Sequence, residues 1–83
     1  MAQKVELTVF VRTPEAVVFE GNAASVSSWN QQGRFDILTY HENFITLISQ
    51  YVEVQVGKVT HKWEVSHGVI KAENNTIKIF LGL

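Results

Sequence analysis

The part of the chain that most constrains its fold lies in the middle, at residues 33–48, where two short apolar stretches flank a polar turn. The first stretch runs from Gly33 to Leu38 and the second from Phe44 to Ile48. Both are shorter than an ordinary helix but long enough for a strand, and aromatic and β-branched residues are prominent in each. This part of the chain therefore predicts a strand, a tight connection and a second strand.

Similar segments occur on both sides, and most of them alternate apolar and polar residues. Such alternation indicates strands with one buried face, because successive side chains of a strand point to opposite sides. Pro14 should end the first strand, since proline has no N–H for the ladder, and turns are expected at Gly21-Asn22, Gly57-Lys58 and residues 73–75. The sequence predicts about nine strand segments, at residues 4–13, 17–21, 23–29, 33–38, 44–48, 51–56, 59–65, 69–72 and 76–80.

No apolar spacing of three and four residues persists over the length of a helix. Short strands joined by tight turns are typical of antiparallel sandwiches and barrels. We therefore expect an all-β fold, a small antiparallel two-sheet β-sandwich of about nine to ten short strands. Residues 1–83 should form a single domain, since no linker, repeat or low-complexity tract interrupts them.

Composition narrows the functional classes. With 46% hydrophobic and 18% charged residues, the chain has the balance of a folded domain and not of a disordered one. A formal net charge of −1 provides no basic excess for a nucleic acid. The absence of cysteine rules out disulfides and thiolate sites. No apolar run approaches the roughly 18 residues of a membrane span, so we expect no direct membrane insertion.

Residues with catalytic chemistry are few and scattered. Asp36 and Glu42 could in principle act as an acid–base pair, but a solvated strand residue and a turn residue explain them more simply. The histidines at positions 41, 61 and 67 lack the spacing of a metal site, and the isolated glycines form no phosphate-binding loop. We therefore predict no catalytic, cofactor or metal site, which favours a binding or structural module over an enzyme.

Three segments together resemble the β-sandwich domain of the epsilon subunit of F-type ATP synthases, called delta in mitochondria. The first contains Thr13-Pro14-Glu15 followed by Val18-Phe19-Glu20-Gly21. The second runs from Gly33 to Thr46 and is similar to the family's glycine-led strand, histidine turn and following threonine. The third, residues 63–79, resembles the family's late strand pair. The match covers essentially the whole chain in order.

The chain also departs from the family pattern. Thr39-Tyr40 replaces the Pro-Gly that precedes the motif histidine, and His67 replaces the first of two glycines. Arg34 stands where an acidic residue is common, which reverses the charge at a position that the family turns toward its membrane ring. The sequence stops at Gly82-Leu83, without the C-terminal helical hairpin that in the family carries nucleotide sensing and inhibition of ATP hydrolysis.

The resemblance implies a non-catalytic rotor subunit of the central stalk, which links the gamma subunit to the ring of membrane c subunits. It would couple ion-driven rotation, typically proton transport, to ATP synthesis from the cytoplasmic face of the inner (plasma) membrane, as a peripheral part of the complex. Gln31, Gln32, Gly33 and Arg34 would face the c ring. Thr13, His41 and Thr46 match positions near gamma, although an exposed strand threonine or a turn histidine would explain each one alone. Phe10 and Tyr40 are further candidates for interface aromatics.

Two other functions stay open from the residues themselves. A free-standing β-sandwich could bind a carbohydrate or protein ligand if Trp29, Tyr51 and Trp63 point outward together. A small cupin-like enzyme would need clustered metal ligands, which the spacing of the histidines does not provide.

Overall fold

The computed structural model describes residues 5–82, so the predicted start of the first strand at Lys4 lies outside the described residues. Within this range every regular element is a strand, and the all-β prediction is confirmed. Seven strands follow one another: β1 Leu7–Arg12, β2 Val17–Ala23, β3 Ser25–Asn30, β4 Gly33–Ile37, β5 Phe44–Val56, β6 Val59–Glu73 and β7 Thr76–Leu81.

The strands form one continuous hydrogen-bonded sheet in the order β2-β1-β7-β6-β5-β3-β4, which folds over on itself as a β-sandwich. The sheet bends within β5 and β6, where the pairing of these two strands shifts register between Ile48 and Gln50. On one side of this shift, residues 44–48 and 68–73 pair within a layer that includes β7, β1 and β2. On the other side, residues 51–65 pair with each other and with β3, which carries β4. We call these layers the first sheet and the second sheet.

The shared strands explain why nine predicted segments correspond to seven strands. Residues 44–48 and 51–56 are two parts of β5, and residues 59–65 and 69–72 are two parts of β6. Gln50, with a φ of 72°, and the buried Gly68 lie where the sequence pattern is interrupted. The pairing is antiparallel throughout except between β1 and β7, which run parallel.

The core lies between the two sheets and takes the alternating apolar residues of both. Leu7, Val9 and Val11 of β1 are fully buried, and Ile37 at the end of β4 is only 1% exposed. Trp63 is half-buried and packs against the core beside Phe19. This burial follows the strand periodicity, because the inward residues of each strand meet those of the opposite sheet.

The turns at Gly57-Lys58 and Asn74-Asn75 lie where the sequence predicts them. The turn expected at Gly21-Asn22 is wrong, because these residues belong to β2 and pair with β1. The chain bends at Ala24, whose N–H donates to the carbonyl of Gln55 at 2.8 Å. The bend comes later than predicted because the chain must first complete its pairing in the first sheet before it enters the second.

The turn before His41 forms without the family's Pro-Gly. Tyr40 adopts a φ of 63°, in the left-handed region that favours glycine, and its side chain is 77% exposed. Its N–H donates to the side-chain carbonyl of Asn75 at 2.7 Å, and the N–H of Asn74 donates to Asn43 at 3.0 Å. These two hydrogen bonds tie the loop to the neighbouring turn and help to hold the strained backbone.

Candidate partner interface

The outer surface of the first sheet carries an apolar band, which we call the apolar face. Directly opposed residues on its five strands form one row across the sheet: Leu47, Val69, Phe80, Arg12 and Val17. A second row runs beside it: Ile45, Lys71, Lys78, Phe10 and Glu20. Leu47 is 71% exposed and Ile45 is 66% exposed. The apolar face therefore combines exposed hydrophobic groups with more cations than anions.

The outer surface of the second sheet is different in character, and we call it the polar face. One row of opposed residues consists of Asp36, Ser27, Glu53 and Lys62. The hydroxyl of Ser27 donates to the carboxylate of Asp36, and Thr60 donates to Gln55. These four polar side chains pair with one another, so they need no partner to satisfy them. The two faces of the domain thus differ strongly in polarity.

Arg34 lies at the edge of the polar face and contacts three other side chains. Its Nη1 is 3.0 Å from Asp36 and its Nη2 is 3.7 Å from Glu53, while its Nε donates to the hydroxyl of Tyr51 at 3.3 Å. The hydrogen bond with Tyr51, followed by the charge of Asp36, raises the pKa of Arg34 above its ordinary value. The positive charge of Arg34 is therefore balanced by groups of its own chain.

The β3–β4 loop presents Gln31 and Gln32, both exposed, and ends at Gly33, which has a φ of 117°. Asn30 anchors the loop from one side. Its Oδ1 accepts from the N–H of Gln32 at 2.8 Å, and its Nδ2 donates to the hydroxyl of Thr46 at 3.3 Å. The loop and the start of β5 line a shared depression of about 450 Å³. The predicted ring-facing loop and Thr46 therefore form one continuous surface.

The residues predicted to lie near gamma flank the first sheet. Thr13 follows β1 and His41 precedes β5, and these strands run in the same direction, so the two residues lie at opposite ends. The Thr13 hydroxyl accepts from the N–H groups of Glu15 and Ala16 at 3.3 and 3.2 Å. His41 Nδ1 lies 2.6 Å from the carbonyl of Glu42. All three predicted residues, Thr46 included, are half-buried and bonded within the chain.

The sequence prediction did not include several residues of these two surfaces. Three belong to the apolar face, namely Leu47, Val69 and Phe80, and the fourth is Asn30, which anchors the β3–β4 loop. Phe10, predicted as an interface aromatic, does lie in the apolar face. The three apolar residues that the prediction did not include lie in runs without alternation, at residues 44–48, 68–70 and 79–81. Such runs indicate a strand with both faces covered, and this signal could have located the apolar face.

The three aromatics of the alternative binding site do not converge. Trp29 and Tyr51 lie edge-on to each other with ring centroids 6.4 Å apart. Trp63 pairs with the buried Val52 and so points to the opposite side of the second sheet, where it stacks on His61. Residues 5–82 contain no group of three or more His, Asp or Glu side chains placed to hold a metal ion. Nor do they contain a helix with the length and apolarity to cross a bilayer.

Comparison with known proteins agrees with this architecture. Residues 6–81 match the model of the ATP synthase, Delta/Epsilon chain, beta-sandwich domain. The ATP synthase epsilon chain of Endomicrobium trichonymphae is 35% identical over 72 residues, which are 86% of this chain and 52% of that protein. This chain belongs to the family of ATP synthase delta/epsilon chains through their β-sandwich domain, and the resemblance seen in the sequence is confirmed. It spans about half the length of the relative that it matches.

Two solved structures share the fold at low sequence identity. A chain in the mitochondrial ATP synthase of Euglena gracilis, described as OSCP/F1/c-ring, superposes with a TM-score of 0.85 at 13% identity, covering 98% of this chain and 53% of that one. A chain in the central stalk/c-ring of the Tetrahymena thermophila enzyme has a TM-score of 0.74 at 15% identity, covering 96% and 66%. These likenesses establish the sandwich architecture.

Proposed function

We propose that this chain is a non-catalytic rotor component of an F-type ATP synthase, placed between the gamma subunit and the ring of membrane c subunits. Its family membership supports this, as do the solved assemblies with the same fold, whose descriptions name the central stalk and the c ring. In this role the domain transmits rotation between ring and gamma, and thereby couples ion flow to ATP synthesis. It acts peripherally, at the cytoplasmic face of the plasma membrane.

The observation that carries the proposal is the contrast between the two outer faces. A small monomeric domain gains nothing from leaving Leu47 and Ile45 more than half exposed, whereas a subunit of an assembly buries such groups against its partner. The apolar face is therefore the surface that we assign to gamma. Thr13 and His41 lie at its two ends, and Thr46 lies on the strand that forms its edge.

The β3–β4 loop is the surface that we assign to the c ring. Gln31 and Gln32 project from the hairpin of the second sheet, beside the edge strand that borders the apolar face. A closely packed sandwich suits this position, since its hydrogen-bonded strands deform little under load. The chain would bind both partners at once and would transmit torque without chemistry of its own.

The test is co-purification with the gamma subunit of the same organism. Leu47→Glu and Val69→Glu place a carboxylate in the apolar face, and Gln55→Glu places one on the polar face of the same sandwich as a matched control. We expect a stoichiometric complex with wild type and Gln55→Glu, and a dissociation constant at least about tenfold higher for the apolar-face variants. Unfolding curves of each variant check that the fold is intact.

The variants Thr46→Glu and His41→Ala extend the test to the edge and one end of the face. Both should weaken the complex if the surface reaches them. A wild-type chain that stays monomeric in the presence of gamma would refute the rotor assignment. Equal loss of binding in Gln55→Glu and Leu47→Glu would refute the assignment of the apolar face.

A further inference from the structure

We propose that the β3–β4 loop recognises an uncharged, hydrogen-bonding surface, and that the charge of Arg34 is balanced within its own chain instead of pairing with the partner. The inference rests on the proposed function, in which the loop faces the c ring. It concerns the chemistry of that contact. A cation at position 34 would at first suggest that the loop forms an ion pair with an acidic partner.

The guanidinium of Arg34 has a partner at each of its nitrogens. Nη1 pairs with Asp36 at 3.0 Å, Nη2 approaches Glu53 at 3.7 Å, and Nε donates to Tyr51 at 3.3 Å. Lys62 adds a second cation, with its Nζ 4.3 Å from the centre of the Tyr51 ring. Two cations and two carboxylates therefore meet at the foot of the loop, so the charge that a partner experiences there is close to zero.

The loop itself is anchored on the other side by Asn30, which bonds Gln32 and Thr46. Between the two anchors the exposed side chains are those of Gln31 and Gln32. Primary amides provide both donors and acceptors and carry no charge. A loop shaped in this way fits backbone carbonyls, hydroxyls and amides of a partner loop, and its binding should respond weakly to salt, because only charged contacts are screened.

The experiment measures binding of the preformed complex with gamma to purified c ring in detergent, from low to high ionic strength. The key variant is the double substitution Arg34→Gln with Asp36→Asn, which removes the cation together with its closest carboxylate. Lys58→Gln, in the distant β5–β6 turn, is the matched control for loss of a cation. Gln32→Glu places a charge in the loop without altering its length.

We expect the dissociation constant of wild type to change less than about threefold across the salt range. The dissociation constant of the double variant should lie within about threefold of the wild-type value. Gln32→Glu should bind about tenfold more weakly, because its carboxylate would face no cation on the partner. Affinity that falls steeply with salt, together with a loss in the double variant that Lys58→Gln does not share, would overturn the inference.

A second measurement tests the position of Arg34 without any partner. The pKa of Tyr51 is lowered, first by the neighbouring Trp29 indole and then by the hydrogen bond from Arg34. In a Tyr40→Phe background Tyr51 is the only tyrosine, so its titration can be followed by ultraviolet absorbance. Adding Arg34→Gln should raise the pKa of Tyr51, since the N–H that stabilises the phenolate is lost.

An unchanged pKa would mean that Arg34 does not contact Tyr51 in solution, and the balancing of its charge within its own chain would be refuted. This readout also separates the two proposals. If wild type binds neither gamma nor ring, the proposed function fails, while the titration still decides where Arg34 lies.

Discussion

Replacing Gly68 with alanine tests the bend that gives the domain its two sheets. Gly68 is buried in β6 and pairs with Ile48 and Leu81. An added Cβ would lie 2.7 Å from the carbonyl oxygen of Phe80 and 3.1 Å from the side chains of Ile48 and Val65. The carbonyl oxygen belongs to the backbone of β7, so it cannot move away without disturbing the β6–β7 ladder.

Overpacking of this kind costs about 1–3 kcal/mol, while the smaller entropy of the unfolded chain returns about 0.4–1 kcal/mol. We expect Gly68→Ala to lower the free energy of unfolding by about 1–2.5 kcal/mol, since the 2.7 Å contact is with backbone. Such a loss is a large fraction of the stability of a domain of this size. The assay is urea unfolding followed by tryptophan fluorescence, with the slope against urea concentration compared between variants.

Gly21→Ala is the matched control within another strand. A Cβ on Gly21 would lie 3.5 Å from Cζ of Phe19, an ordinary contact. We expect this variant to be as stable as wild type, or more stable by up to about 1 kcal/mol through the unfolded state. If Gly68→Ala unfolds at the same urea concentration as Gly21→Ala, the close approach at the bend is not what constrains position 68.

Three further predictions, two of them with a control substitution, use the same unfolding assay. Ile37→Ala should lower the free energy of unfolding by about 2–5 kcal/mol, because the side chain of Ile37 is buried. The neighbouring Leu38 is 59% exposed, so Leu38→Ala should change this free energy by less than about 0.5 kcal/mol. Equal effects of the two substitutions would contradict the placement of the core. Tyr40→Gly relieves the left-handed backbone and should raise stability by up to about 1 kcal/mol, and a clear loss would show that the tyrosine ring packs. Thr13→Val should cost about 1 kcal/mol by removing the acceptor of two N–H groups, with Thr13→Ser close to wild type; a stable valine variant would argue against that bonding.

Local pattern was enough to predict the strands and most of the turns. The alternation of Leu7, Val9 and Val11 predicts an inward and an outward side, and the structure buries all three. Asn74 and Asn75 predict a tight turn, and both adopt the positive φ that asparagine tolerates. These properties follow from the sequence because they depend on residues that are close together along the chain.

The sequence pattern was not sufficient where the conformation of a residue depends on contacts with residues distant in sequence. The sequence indicates an interruption at residues 49–50 and at Gly68, but it does not tell whether the chain reverses there or continues as one bent strand. Pairing decides this, because β5 and β6 remain hydrogen-bonded on both sides of the register shift. For the same reason the turn placed at Gly21-Asn22 was too early, since β1 holds both residues in the ladder.

The functional surfaces divide in the same way. Sequence motifs alone were sufficient to recognise the family, because they rest on residue types in order along the chain. The contact loop at residues 31–34 follows from the same motifs and stays a prediction. Only the folded chain assembles Leu47, Val69 and Phe80 into one row, from three strands whose pairing follows no rule of sequence spacing. Likewise, the sequence shows a cation beside a polar loop, whereas folding brings Glu53 and Tyr51 to Arg34. Charge is a property of a residue, but whether that charge is free to meet a partner depends on which neighbours the tertiary structure places around it.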